Sequence, residues 1–142
     1  VYNRIRHFLL GFTLLELLVV LVILGLLASL VGPQVFKQLG GSKTKTASLQ
    51  IKELGTALDL YRLEVGRYPS SSEGLEALLT RPTDTRGWNG PYLTKKNIPR
   101  DPWGNDYQYR NPGQYGEYDL FSLGSDNQEG GEGEARDVGS WE

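Results

Sequence analysis

From Leu14 to Val31 almost every position is apolar, broken only by Glu16, Gly25 and Ser29. A helix that is apolar on all sides has no polar face to show to water, so it belongs in a membrane or a protein core. The bilayer core is about 30 Å thick and takes about 20 helical residues to cross, and this run is of that length. Gly32 and Pro33 follow it. Proline lacks the amide of an internal helical bond and costs roughly 3 kcal/mol there, so a kink or local unwinding is expected near Ser29–Pro33. It reads equally as a tolerated membrane proline or as a hinge. Beyond Gly40-Gly41 the pattern changes. Ile51, Leu54, Leu58, Tyr61 and Val65 recur at spacings of 3, 4, 3 and 4, while Lys52, Glu53, Asp59 and Arg62 fall largely elsewhere. This is one face of an amphipathic helix. One long helix is predicted from about Phe12 to Glu64, weakened near Pro33 and the glycine pair, with Gly66 as its C-terminal cap.

Ser70-x-x-Glu73 fits a capping box and is followed by Leu75, Leu78 and Leu79, which predicts a short helix from Ser71 to about Thr80. Residues Arg81–Asn97 contain glycine and proline and read as a loop whose Trp88, Tyr92 and Leu93 plug the core. Asp101-Pro102-Trp103-Gly104-Asn105 is turn chemistry. Tyr107–Arg110 alternates like a strand, Asn111-Pro112-Gly113 turns the chain, and Tyr118–Leu123 reads as the next strand. A long helix followed by a few short strands makes an α+β chain with a small antiparallel sheet.

Charge and residue usage narrow the function. The net charge is −2, so the chain as a whole has no nucleic-acid signature. Arg4, Arg6 and His7 precede the apolar run, which predicts a cytoplasmic N-terminus and an exported remainder. There is no cysteine, and the one histidine is His7. The exported part therefore lacks imidazole and thiol, which excludes Ser-His-Asp and Cys-His catalysis and the usual zinc ligands. A carboxylate-only glycosidase is still compatible with the residues. Glu16 is out of place in its surroundings, since a charge within such a run costs about 2.5–3.5 kcal/mol. A retained carboxylate of this kind calls for a partner.

A second concentration of oxygen donors lies after the last long strand, from Leu123 to Asp137. It holds Asp126, Glu129, Glu132, Glu134 and Asp137 on a glycine-rich backbone. Calcium takes six to eight oxygens in irregular geometry, but the spacing here is not an EF-hand. From spacing alone, a solvated acidic loop is the simpler reading.

A secretory signal peptide would need a clean small-residue cleavage site, for which Ala28-Ser29-Leu30 is a poor substitute. A plain single-pass anchor leaves Glu16 unexplained. Gly11-Phe12-Thr13-Leu14-Leu15-Glu16 resembles the processing motif of the type IV pilin superfamily. The resemblance implies that a prepilin peptidase removes the basic leader, residues 1–11, by cutting between Gly11 and Phe12, and then N-methylates Phe12. It also gives Glu16 an assembly role. Cleavage creates a cationic amine at Phe12, and Glu16 of a neighbouring subunit can neutralise it, so two charges that are each costly in lipid become one polar pair.

Further motifs, among them Trp88-Asn89-Gly90-Pro91-Tyr92-Leu93, Asp101-Pro102-Trp103-Gly104-Asn105, Tyr118–Asp126 and Asp137-Val138-Gly139-Ser140-Trp141, resemble the major pseudopilins of type II secretion systems. The likeness runs from Gly11 to Trp141. It implies a type IV pilin-like α+β fold: a transmembrane and filament-core helix over residues 12–33, and a periplasmic domain over 34–142 that includes the second half of the helix. It implies one structural calcium ion, with side-chain ligands Asp126 and Asp137 and the carbonyls of Leu123 and Gln128. Ala135 supplies a further carbonyl, or Glu134 contributes instead. Asn127 stands where glycine is frequent, and asparagine tolerates a left-handed backbone.

The implied role is non-enzymatic. The subunit polymerises with itself into the periplasmic pseudopilus, is extracted from the inner membrane by an assembly platform with a cytoplasmic ATPase, meets minor pseudopilins at the tip, and helps drive folded exoproteins through the outer-membrane secretin. One alternative is a major type IV pilin for adhesion or motility, although many of those close their C-terminal region with a disulfide. Another is an anchored periplasmic carbohydrate-active or carbohydrate-binding domain, motivated by the Trp, Tyr and carboxylate content.

Overall fold

The computed structural model describes residues 10–142. The basic residues Arg4, Arg6 and His7 lie outside the described residues. The order of elements is one long helix, α1 (Leu14–Val65), followed by three short strands, β1 (Gln108–Arg110), β2 (Asp119–Ser122) and β3 (Val138–Gly139). The chain divides into two compact units, one ending at Gln38 and one spanning Leu39–Glu142.

In the first unit the side chains of Leu14–Val31 are exposed, from Leu14 at 88% to Val19 at 48%. The most apolar stretch of α1 has a mean hydropathy of 2.9, and among the described residues none of it is buried. This half is long and apolar enough to cross a membrane. The helix runs without a break through Pro33, so the expected unwinding does not occur. Proline removes a single backbone bond, and the turns on either side keep theirs.

The second unit is built on one face of the C-terminal half of α1. Ile51, Leu54, Leu58 and Tyr61 are buried as their spacing predicts, and Ala47 and Ala57 join them. They pack against Leu75, Leu78, Tyr107, Leu120 and Val138. Burying a residue such as Leu58 completely is worth about 1.5–3 kcal/mol. The helix ends at Gly66, whose φ of 91° and amide bond to the Arg62 carbonyl (2.7 Å) form a left-handed cap.

The predicted helix over Ser71–Thr80 is not one helix. The capping box forms: the Glu73 amide donates to Ser70 Oγ (3.2 Å), and the Ser70 amide donates to Glu73 Oε2 (2.8 Å). It closes only a single turn, because Gly74 adopts φ 62° and ψ −164°. A separate 3₁₀ turn, Leu75–Leu78, then buries Leu75 and Leu78. Residues 81–97 form the expected loop. Trp88 donates its indole N–H to the Ala77 carbonyl (2.8 Å), and Tyr92 packs edge-on against both Tyr61 and Trp88.

The sheet is antiparallel throughout, in the order β1-β2-β3. Central β2 is buried along its whole length. Tyr109 pairs with Leu120, and Arg110 pairs with Asp119. The Asp119 side chain is fully buried, and its carboxylate accepts from Arg110 Nε (2.7 Å) and from the amides of Gln114 (2.7 Å) and Tyr115 (3.1 Å). Burial alone would raise its pKa, but these bonds outweigh it and hold the carboxyl below the usual range. Strand β3 was not expected from the sequence, since two residues carry no alternation to read.

Candidate functional site

The Gly11–Phe12 peptide precedes α1 in non-helical backbone, and the Phe12 side chain is 85% exposed. Thr13 stands at the N-cap of α1 and Glu16 three positions on. The Glu16 amide donates to Thr13 Oγ1 (3.1 Å), while the Thr13 amide (3.0 Å) and hydroxyl (3.3 Å) both donate to Glu16 Oε2. This is a reciprocal capping box, and it places a carboxylate in the first turn, where the helix dipole favours negative charge. Glu16 thus has a partner in its own chain, besides the one expected in a neighbouring subunit. The T-x-x-E pattern of Thr13-Leu14-Leu15-Glu16 was the available signal. Among the described residues these bonds use only Oε2, which leaves Oε1 for a second donor.

The acidic loop joins β2 to β3. Ser122 pairs with Val138, so Leu123 and Asp137 leave the sheet side by side. Two bonds draw the limbs of the loop together. Ser125 donates its amide to the Glu134 carbonyl (2.9 Å), and Gly130 donates its amide to Asp137 Oδ2 (3.1 Å). The Asp126 carboxylate accepts from the Gln128 amide (3.1 Å), closing a turn in which Asn127 has φ 52°. Gly124, with φ 71°, lies where a side chain would meet the carbonyls of Arg136 and Glu134. A buried link fixes the end of β2. Ser122 Oγ accepts from the Gly124 amide (3.1 Å) and donates to Asp101 Oδ2 (2.7 Å). The other oxygen of Asp101 holds the amides of Trp103 and Asn105. The Asp101–Asn105 turn is legible in the sequence, but its bond to Ser122, 21 residues away, leaves no local pattern.

The residues present fit an oxygen-seeking cation. Among the described residues Asp137 Oδ1 is buried with no hydrogen-bond partner, a costly state for a carboxylate oxygen unless a cation satisfies it. Among the described residues no three acidic or imidazole side chains converge, so an ion here would rest on two carboxylates and backbone carbonyls. That is a hard donor set, suited to calcium rather than zinc. Asp126 and Gln128 are exposed, Leu123 and Ala135 are half-buried, and the Glu134 side chain is turned toward α1 at Gly40.

The type II secretion system (T2SS) protein G family matches residues 34–141, and the prokaryotic N-terminal methylation motif matches residues 10–32. The type II secretion system core protein G of Vibrio cholerae is 49% identical over 134 residues, which is 92% of this chain and 90% of that one. The protein of the same name from Pseudomonas aeruginosa is 48% identical, over 93% and 94% of the two chains. The crystal structure of the major pseudopilin from the type 2 secretion system of enterohaemorrhagic Escherichia coli superposes with a TM-score of 0.62 at 37% identity. That match covers 71% of this chain and 88% of the other. An apolar helix directly behind a methylation motif fits a membrane-anchored subunit. Together these likenesses favour the pseudopilin over the type IV pilin, and the chain belongs to the type II secretion system protein G family of major pseudopilins.

Proposed function

We propose that this chain is a non-enzymatic filament subunit, cut between Gly11 and Phe12 by the prepilin peptidase and N-methylated at Phe12. The mature subunit is held in the bacterial inner membrane by residues 12–33, with the domain from residue 34 onward in the periplasm. It polymerises there into a helical pseudopilus, drawn out by the assembly platform and met by minor pseudopilins. The carrying observation is the first half of α1, whose apolar side chains have no cover among the described residues and whose one carboxylate stands at its head. Lipid covers those side chains before assembly, and neighbouring copies cover them afterwards. Glu16 keeps Thr13 as its internal partner and offers Oε1 to the Phe12 amine of the next subunit.

Asp126 and Asp137, with the carbonyls of Leu123 and Gln128, hold one structural calcium ion, and Ala135 is the further carbonyl donor. When bound, the ion neutralises the paired carboxylates and ties the two limbs of a loop that has no disulfide. Its binding free energy adds to folding.

Glu16→Ala tests the assembly role. The variant should insert and be processed normally, while filament yield falls roughly a hundredfold because the Phe12 amine is left unpaired in an apolar setting. Normal yield would remove the charge pair from the account. The ion is tested by thermal unfolding of the full chain in detergent, with calcium and with chelator. Calcium at about 100 times its Kd adds about 2.7 kcal/mol and raises Tm by about 10 °C, a gain that Asp126→Ala should lose. Equal melting in both conditions would refute the ion.

A further inference from the structure

Gly40 is the one buried position of α1 before Ala47, and its burial comes from the acidic loop. A Cβ on Gly40 would lie 1.6 Å from Glu134 Oε1 and 2.5 Å from Glu134 Cγ. The end of the exposed Glu134 side chain therefore lies in the notch that the missing Cβ of Gly40 leaves, and a larger residue there would push it aside. Gly40, Thr44 and Ala47 share one helix face, where Thr44 turns its hydroxyl back to the Gly40 carbonyl (3.1 Å). Lys43, one turn on from Gly40, gives that region a positive charge. At its other end Glu134 is built into the loop. Its carbonyl accepts the Ser125 amide, next to Asp126, and packs on Gly124. Its neighbours Ala135 and Arg136 close a 3₁₀ turn that leads directly to Asp137. One residue thus touches both limbs that carry the two aspartates and the helix as well.

We propose that Glu134 is the positioning residue that seats the 123–137 loop in the Gly40 notch, so that ion binding at Asp126 and Asp137 stiffens α1 around Gly40–Ala47. This rests on the calcium reading for the ion and on the Glu134–Gly40 contact for the coupling. Glu134 then acts through its side chain on the helix and not as a ligand. In a filament subunit it would let the ion set the rigidity of α1 just beyond its apolar half.

The test is amide hydrogen exchange of the full chain in detergent micelles, paired with calorimetric titration of calcium into the same samples. In the wild type, calcium should slow exchange at residues 40–47 about tenfold. Glu134→Ala should abolish that slowing while calcium affinity changes less than about threefold, because the ligands remain. Glu134→Gln keeps the shape and should retain most of the effect. Gly40→Ala, which fills the notch, should reproduce Glu134→Ala without altering the loop. Calcium binding with the same slowing in Glu134→Ala as in the wild type would overturn the coupling and leave the ion. Slowing lost together with calcium affinity in Glu134→Ala would make Glu134 a ligand and overturn the positioning role. No calcium uptake by the wild type would overturn the ion reading, and the coupling with it.

Discussion

The two halves of α1 are one continuous helix made by opposite logics. From Leu17 to Val31 the helix is apolar on every side apart from Ser29, and among the described residues nothing covers it. From Leu39 onward a single face is apolar, and its Leu54, Leu58 and Tyr61 are almost completely buried. The first half is stable only with something outside the chain, whereas the second brings its own core. A substitution in the first should therefore read out in assembly, and one in the second in folding.

Glu16→Ala should separate the halves most widely. Assembly drops roughly a hundredfold while the melting of the folded unit stays within about 0.5 kcal/mol of wild type, since nothing in the core is touched. A melting shift as large as that of a core variant would erase the distinction. Leu58→Ala is the converse. It opens a cavity at a fully buried site and should cost about 3 kcal/mol by denaturant unfolding, with membrane insertion unchanged. Acid acts on the folded unit through Glu73. The Arg67 hydrogen bond holds the Glu73 carboxyl at about pKa 2, opposed by its partial burial. A folded-state pKa below the unfolded one means that the unfolded chain binds the extra proton. The stabilisation is thus full above the ordinary carboxylate value and is lost as pH falls toward about 2. Glu73→Gln should cost about 1 kcal/mol at pH 7, given the half-exposed Arg67, and should flatten the acid limb of the stability profile. An unchanged limb would show that Glu73 plays no part in it. Gly66→Ala should cost no more than that, about 1 kcal/mol, because only the left-handed cap is strained. A stabilised variant would show that the cap does not require glycine.

The signals from which the candidate site is read in the sequence are local. The Gly11–Glu16 motif and the donors between Leu123 and Asp137 lie within short stretches of chain. Asn127 does adopt the left-handed backbone its residue type permits. What escaped was non-local or contextual. The Ser70–Glu73 box was read correctly as a cap, yet the positive φ of Gly74 stops the helix it should have opened. Glu134 gave no sign in the sequence that it would lie on Gly40, 94 residues earlier.

The elements with a period can be read from the linear order alone: the apolar run, the amphipathic face of α1, and the strands around β1 and β2. Repetition at helical or strand spacing reflects one neighbour met again and again, so it survives in the linear order. Strand β3, the Asp101–Ser122 bond, the buried Oδ1 of Asp137 and the seating of Glu134 on Gly40 arise only once the chain has folded. Each is a single meeting between residues far apart in the chain, and a contact made once leaves no period behind.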